Sequence, residues 1–237
     1  MDDMDESING TERHVDGKDP PSDARVHALT NPECLRIADE AGNRSYGCDQ
    51  EWYDSRWKRQ AGCGPNVATN LLVYLGCAGR IRLSFEIGSK AACMHLMEAV
   101  WHHVTPTPMG VHTTQHFAKG LLAFSSAHGF PLHLELLEVP RTRARRPSLD
   151  AAAAFVADGL DCDAPVAFLN LHNGSLARLE SWHWVTVVGL RRTAAGEAIL
   201  SIFDGDAAFE AELGAWLAGT QMGGGFVRIG PDKAISK

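Results

Sequence analysis

The sequence predicts an α+β fold in which helices dominate the first half and a mostly antiparallel sheet follows. Apolar residues recur at helical spacing from residue 63 to about residue 129. From residue 131 onward, short segments carry the period-two alternation and β-branched composition of strands. The chain has 237 residues, 45% of them hydrophobic and 22% charged, which suffices for one sizeable core. We therefore expect one domain over residues 31–237, preceded by a polar, disordered tail over residues 1–30 that lacks aromatic residues and apolar periodicity.

Three helices are predicted in the first half. The first begins at the glycine-flanked Cys63, has a proline in its first turn, continues with the stripe Val67, Leu71 and Leu75, and ends near Gly76. Ser89 can cap the second helix, which carries methionines and a tryptophan on its apolar face. Thr113 or Thr114 can cap the third, which ends near residue 129.

The second half is predicted to be mainly strands. The segment "PLHLELLEV" at 131–139 alternates leucine with polar residues, and Ser148 then opens the alanine-rich helix "LDAAAAFVADG". Four more strands are predicted in "PVAFLNL", "WHWVTVVGL", "AILSIFDG" and "GFVRI". A helix over "FEAELGAWLAG" is expected between the last two of them.

Charge and hydropathy exclude several partner classes. The net charge of −7 and the isoelectric point near 5.8 argue against nucleic acid, because binding to phosphates needs a basic excess. The sequence has neither a long apolar span nor a cationic leader followed by an apolar run, so we expect no membrane partner and a cytoplasmic location.

Cysteines and histidines give no metal or disulfide signature. The six cysteines include no Cys-x-x-Cys pair, so neither a zinc ribbon nor a disulfide scaffold is indicated, and most thiols are expected to be free. A histidine cluster lacks the spacing of a zinc motif and is interpreted as structural: His102, His103, His112 and His116. We predict no metal and no cofactor.

Cys63 is the candidate nucleophile. Its predicted place at the start of a helix puts the thiol beside unpaired amide groups and the positive end of the helix dipole, which favour the thiolate. Gly62 and Gly64 leave room for a substrate carbonyl to approach the sulfur and a backbone amide together. The alternative is a cysteine that only packs under the turn.

His183 and Asp204 are the candidate partners of that thiol. His183 begins a buried-looking strand, and an imidazole is suited to accept a thiol proton. Asp204 ends the next strand, and an antiparallel pairing would return it close to His183, where it can fix the tautomer. A core histidine and a turn-forming aspartate are the structural alternatives.

These residues resemble the papain-like cysteine peptidases of the bacteriocin-processing (double-glycine leader) group and their bacterial relatives. The resemblance lies in "DQEWYDSRW", "AGCGPNVATNLLVYL", "HWVTVVGL" and "FDGD" and spans residues 46 to 206. It implies a papain-like fold, a catalytic triad of Cys63, His183 and Asp204, and an oxyanion-hole donor at Gln50. Gln60 is a nearer rival for that role, because Gln50 lies 13 residues before the cysteine. Processing peptidases of this type are commonly fused to an exporter. Because the sequence has no long apolar span, a free-standing peptidase is expected here instead.

The implied activity is hydrolysis of a peptide or isopeptide bond in a peptide or protein substrate. The same four residues would serve a transglutaminase or an acyltransferase, since only the acceptor differs. A catalytically inactive papain-like binding protein is the alternative from another class. The substrate sequence and the oligomeric state are left open.

Overall fold

The computed structural model describes residues 25–231 and has the predicted α+β organisation. Six α-helices lie in this range: α1 (Arg56–Ala61), α2 (Cys63–Cys77), α3 (Lys90–Trp101), α4 (Thr114–Ala127), α5 (Leu149–Asp161) and α6 (Leu213–Gly219). The strands are β1 (Val26–Ala28), β2 (Arg36–Ala38), β3 (Arg44–Tyr46), β4 (Leu134–Val139), β5 (Val166–Asn170), β6 (His183–Arg192), β7 (Ala198–Asp204), β8 (Ala207–Glu212) and β9 (Gly224–Ile229).

The main sheet is antiparallel at every strand pair. Its order is β4-β9-β5-β6-β7-β8, and β1 pairs with the C-terminal end of β6. Strands β2 and β3 form a separate two-stranded ribbon. The buried apolar residues form one continuous cluster that runs from Leu29 to Ile229, so helices and sheet share a core.

Helix α2 is the central helix of this core. Every residue from Cys63 to Leu75 is buried, and the helix packs against α3, β5 and β6. Gly64 is required by this packing, because a Cβ there would lie 2.7 Å from the Val111 side chain. The predicted caps of the following helices are also observed: Ser89, Thr113 and Ser148 each accept a hydrogen bond from a backbone N–H in the first turn.

Two predicted boundaries are wrong. Within the expected tail of residues 1–30, residues 1–24 lie outside the described part, but Val26–Ala28 pair with Gly189–Arg191 in the sheet and Leu29 is buried. The segment 209–212, expected to start a helix, is instead the end of β8 and pairs with β7. Its phenylalanine and alanine point inward between exposed or half-exposed glutamates, a period-two pattern that favours a strand once a partner is present.

Most cysteines are free, as expected, but no sequence pattern indicated the one disulfide, which joins Cys34 to Cys77. The two Cα atoms are 5.8 Å apart, and the other four cysteines are free. The bond ties the segment before β2 to the last residue of α2. Disulfides are uncommon in a reducing cytoplasm, so this pair weighs against the predicted cytoplasmic location. No helix within residues 25–231 is long and apolar enough to cross a membrane.

Candidate active site

Cys63 is the first residue of α2, as the glycine-flanked motif predicted. Gly62 occupies the N-cap position, and the cysteine is only 8% exposed. The first-turn N–H groups of a helix have no intrahelical acceptor and carry the positive end of the helix dipole. The Cys63 sulfur therefore lies where the backbone N–H groups and the helix dipole favour a negative charge.

His183 and Asp204 lie together at one end of the sheet. Antiparallel pairing sets Phe203 opposite Thr186, which returns the last residue of β7 to the first residue of β6. The carboxylate oxygens of Asp204 lie 2.9 and 3.0 Å from His183 Nε2. Because the imidazole is 9% exposed, this contact is shielded from solvent.

The Cys63 thiol also acts on this imidazole and favours its protonated form. Since Nε2 is directed at the carboxylate, Nδ1 is the ring nitrogen left for the thiol. Burial opposes the charged imidazole, but the hydrogen bonds and charges of Asp204 and Cys63 together raise the pKa of His183 to about 10. The structure thus brings His183 against Asp204, as the sequence predicted, and Cys63 close enough to act on the charge of the ring.

The segment that carries Gln50 is held in place by α2 itself. Asn66 Nδ2 donates to the carbonyl of Cys48 at 2.9 Å, and Asn70 Oδ1 accepts from the Cys48 N–H at 2.7 Å. Gly47, at φ +93°, lies so close to Asn70 that a Cβ would be 2.6 Å from its amide. The helix that begins with the thiol therefore also positions the glutamine segment.

These two asparagines were missed by the sequence analysis. Asn66 and Asn70 are one helical turn apart within an otherwise apolar stretch, and both are buried. Buried amides need hydrogen-bond partners, so paired asparagines at this spacing were an available signal of a segment crossing the helix.

Gln50 and Gln60 line two different pockets of the candidate site. Gln50 is in a short 3-10 turn capped by the Asp49 side chain, and it lines a pocket together with Asn66 and His183. Its Oε1 is buried without a hydrogen-bond partner among the described residues. Gln60, near the end of α1, is exposed and lines a different pocket that includes Cys63. Gln50 stays the predicted oxyanion donor, with Gln60 as its rival.

Two pockets flank the thiol and imidazole. The one lined by Cys63 has a volume of about 350 Å³ and is mostly apolar: Trp57, Ala61, Pro108, Met109, Gly110, Val111, Leu169, Leu171 and Trp182 complete it with Gln60. The other, lined by His183 and Gln50, has a volume of about 280 Å³ and is acidic: Asp49, Glu51, Glu180, Asp204 and Asp206 surround it. A mostly apolar pocket thus adjoins the thiol, and an acidic pocket adjoins the imidazole.

The histidine cluster does not converge on a common point. Within residues 25–231, no group of three or more His, Cys, Asp or Glu side chains is arranged to hold a metal ion. His103 instead packs edge-on against Phe124, and burial lowers its pKa. The structural interpretation of that histidine fits its surroundings.

The chain matches no known protein-family model and no curated protein. The function is therefore inferred from the geometry of the site.

Proposed function

We propose that this protein is a papain-like cysteine peptidase with Cys63 as nucleophile. One observation carries the proposal: a buried imidazole, His183, contacts the Asp204 carboxylate through Nε2, and both this carboxylate and the helix-start thiol of Cys63 favour its charged form. A thiol, a base and an orienting carboxylate in this order form the arrangement used for acyl transfer by covalent catalysis. The sequence resemblance points to the same class.

Because the pKa of His183 is raised, the imidazole holds the proton of the Cys63 thiol before the reaction begins, and in the first half of the reaction the sulfur attacks the substrate carbonyl carbon. The new C–S bond leaves a negative charge on oxygen, which the Cys63 backbone amide and the Gln50 side chain stabilise as donors. When this intermediate collapses, the C–N bond breaks and His183 gives its proton to the departing nitrogen. The product of this half-reaction is a thioester.

In the second half, His183 removes a proton from water as the water attacks the thioester carbonyl. The C–S bond then breaks, and the carboxylic acid leaves with the thiol–imidazole pair restored. Asp204 stabilises the imidazolium in both halves and holds the ring in one orientation. No step calls for a metal or an organic cofactor.

The alternatives use the same residues differently. An amine acceptor in place of water would make the protein a transglutaminase or acyltransferase. A catalytically inactive relative would keep the fold as a binding protein, but then the buried charge pair between His183 and Asp204 would serve stability alone.

The test is a digest of an unbiased peptide library by the wild type and by Cys63→Ala. We expect some bonds to be cleaved by the wild type and not by Cys63→Ala. Asp204→Asn should cleave these same bonds more slowly. Equal cleavage by the wild type and Cys63→Ala would contradict the peptidase assignment. Conversion of peptide and amine mixtures into new amides without hydrolysis would instead identify an acyltransferase.

A further inference from the structure

The two pockets beside the candidate nucleophile differ in charge, and the chemistry assigns each to one side of the scissile bond. The acyl group of the substrate stays bonded to the Cys63 sulfur, so it must occupy the apolar pocket that this residue lines. The leaving nitrogen takes its proton from His183, so it must depart through the pocket lined by that residue. This assignment rests on the proposed function.

The leaving-group pocket carries an excess of negative charge. Five carboxylates line it, against one imidazole: Asp49, Glu51, Glu180, Asp204 and Asp206. Asp204 is paired with His183, and Glu51 lies 3.9 Å from Arg59. Within residues 25–231, Glu180 and Asp206 form no ion pair, although both are exposed in this pocket. Like charges gathered this way repel one another unless a cation is bound.

Two residues that line this pocket carry hydrogen-bond acceptors without a partner. Asn66 is 5% exposed and lines the pocket, yet its Oδ1 has no partner within the described residues while its Nδ2 is used by the Cys48 carbonyl. Gln50 Oε1 is likewise buried without a partner there. Buried acceptors without donors are uncommon in proteins, and they call for a ligand that brings N–H groups. Burial raises the pKa of Asp49, and the charges of Glu51, Asp206 and Asp204 raise it further, so the carboxylates of this pocket are close enough to act on one another.

We propose that the acidic pocket binds a cationic group on the leaving side of the scissile bond, such as the side chain of a lysine or arginine that follows the cleaved bond. A bare metal ion is the weaker candidate, because within residues 25–231 no three ligands are grouped to hold one. An organic cation brings several N–H donors on an extended frame, so it can satisfy separated carboxylates and amide oxygens at once.

The other side of the cleft fits an apolar acyl group. Trp57 is 47% exposed and Trp182 is 46% exposed, and with the exposed Met109 they surround the apolar pocket. Large apolar side chains exposed together mark a binding surface more often than chance. The preferred substrate is therefore apolar before the cleaved bond and cationic after it.

The test uses two peptides that share an apolar acyl part and differ only at the first residue after the scissile bond, lysine in one and norleucine in the other. We compare kcat/KM for both in the wild type and in the double variant Glu180→Gln/Asp206→Asn, which leaves the proposed catalytic residues in place. The matched control is Glu86→Gln/Glu197→Gln, which removes the same charge from exposed residues outside both pockets.

We expect the wild type and the control to prefer the lysine peptide by about fivefold, and the pocket variant to lose most of that preference. The preference should also shrink as salt is added. Equal kcat/KM for the two peptides in the wild type would overturn the proposal and leave the peptidase function standing.

A binding measurement separates this proposal from the function on which it rests. Lysinamide and norleucinamide are titrated by NMR into Cys63→Ala, with and without the two pocket substitutions. Tighter binding of lysinamide that disappears with Glu180→Gln/Asp206→Asn supports the cation pocket even if no peptide is cleaved. Equal binding of the two amides would refute it.

Discussion

The charge on His183 depends on its contact with Asp204, and Asp204→Asn tests that dependence. Asparagine keeps the size of the side chain but removes the negative charge 2.9 Å from Nε2. Burial alone would lower the pKa of this imidazole, so the raised value must come from Asp204 and Cys63. The substitution removes the first of these two and should bring the pKa down.

The size of the effect follows from the pKa. A rise from the ordinary 6.5 to about 10 corresponds to about 5 kcal/mol of preference for the charged ring, at about 1.4 kcal/mol for each pKa unit. A neighbouring opposite charge accounts for roughly one to three pKa units. We therefore expect the His183 titration midpoint in Asp204→Asn to fall from about 10 by that amount.

The assay is an NMR titration of the histidine ring signals. The chain has 11 histidines, so the His183 signal is identified by its loss in His183→Ala. Asp161→Asn serves as the control, because Asp161 contacts His27 at 2.7 Å on an exposed surface away from the site. That variant should leave the His183 midpoint unchanged. A wild-type midpoint near 6.5, or an unchanged midpoint in Asp204→Asn, would refute the reasoning.

The same contact makes stability depend on pH. Because the pKa of His183 is higher in the folded protein than in the unfolded chain, its stabilising contribution is complete below pH 6.5 and is lost as pH rises towards about 10. Asp204→Asn should thus lower the free energy of unfolding most near pH 6. The difference from the wild type should narrow as the pH approaches 10, which urea unfolding at several pH values would measure.

Three further predictions concern the surroundings of the site. Gln50→Ala should lower turnover about 10²-fold, as loss of an oxyanion donor does, whereas Gln60→Ala should change it little; the reverse result would identify Gln60 as the donor. When the denatured, unreduced protein is alkylated, mass spectrometry should find four modified cysteines; six would exclude the disulfide. Cys34→Ser should lower the free energy of unfolding by about 4 kcal/mol, as expected for a cross-link spanning 43 residues. Asn70→Ala removes two buried hydrogen bonds and should cost about 2–4 kcal/mol in urea unfolding, with a larger loss of turnover than Glu86→Gln.

The parts of the molecule that local patterns govern were predictable. The start of α2 at Cys63 follows from glycine, proline and apolar spacing, and the caps of α3, α4 and α5 follow from Ser89, Thr113 and Ser148. The proximity of His183 to Asp204 follows from two consecutive strands joined by a short turn.

The parts of the molecule that depend on partners distant in sequence were not predictable. The strand at Val26–Ala28 exists because the edge of β6 is free to pair with it, and three residues alone carry too little pattern to indicate this. The Cys34–Cys77 bond joins residues 43 apart, and their spacing holds no sign of their proximity. Likewise, the role of Asn66 depends on the Cys48 segment, which lies against α2 and accepts its hydrogen bond.

The central claim is that Cys63 is an activated nucleophile, and its alkylation rate as a function of pH tests this most directly. Iodoacetamide labelling of the native protein is followed peptide by peptide in the wild type and in His183→Ala, with Cys162, the half-exposed free thiol, as the internal reference. We predict that Cys63 reacts faster than Cys162 at mildly acidic pH and that His183→Ala moves its labelling towards alkaline pH. If Cys63 and Cys162 follow the same curve, and His183→Ala leaves the Cys63 curve unchanged, the proposed catalytic role of Cys63 is contradicted.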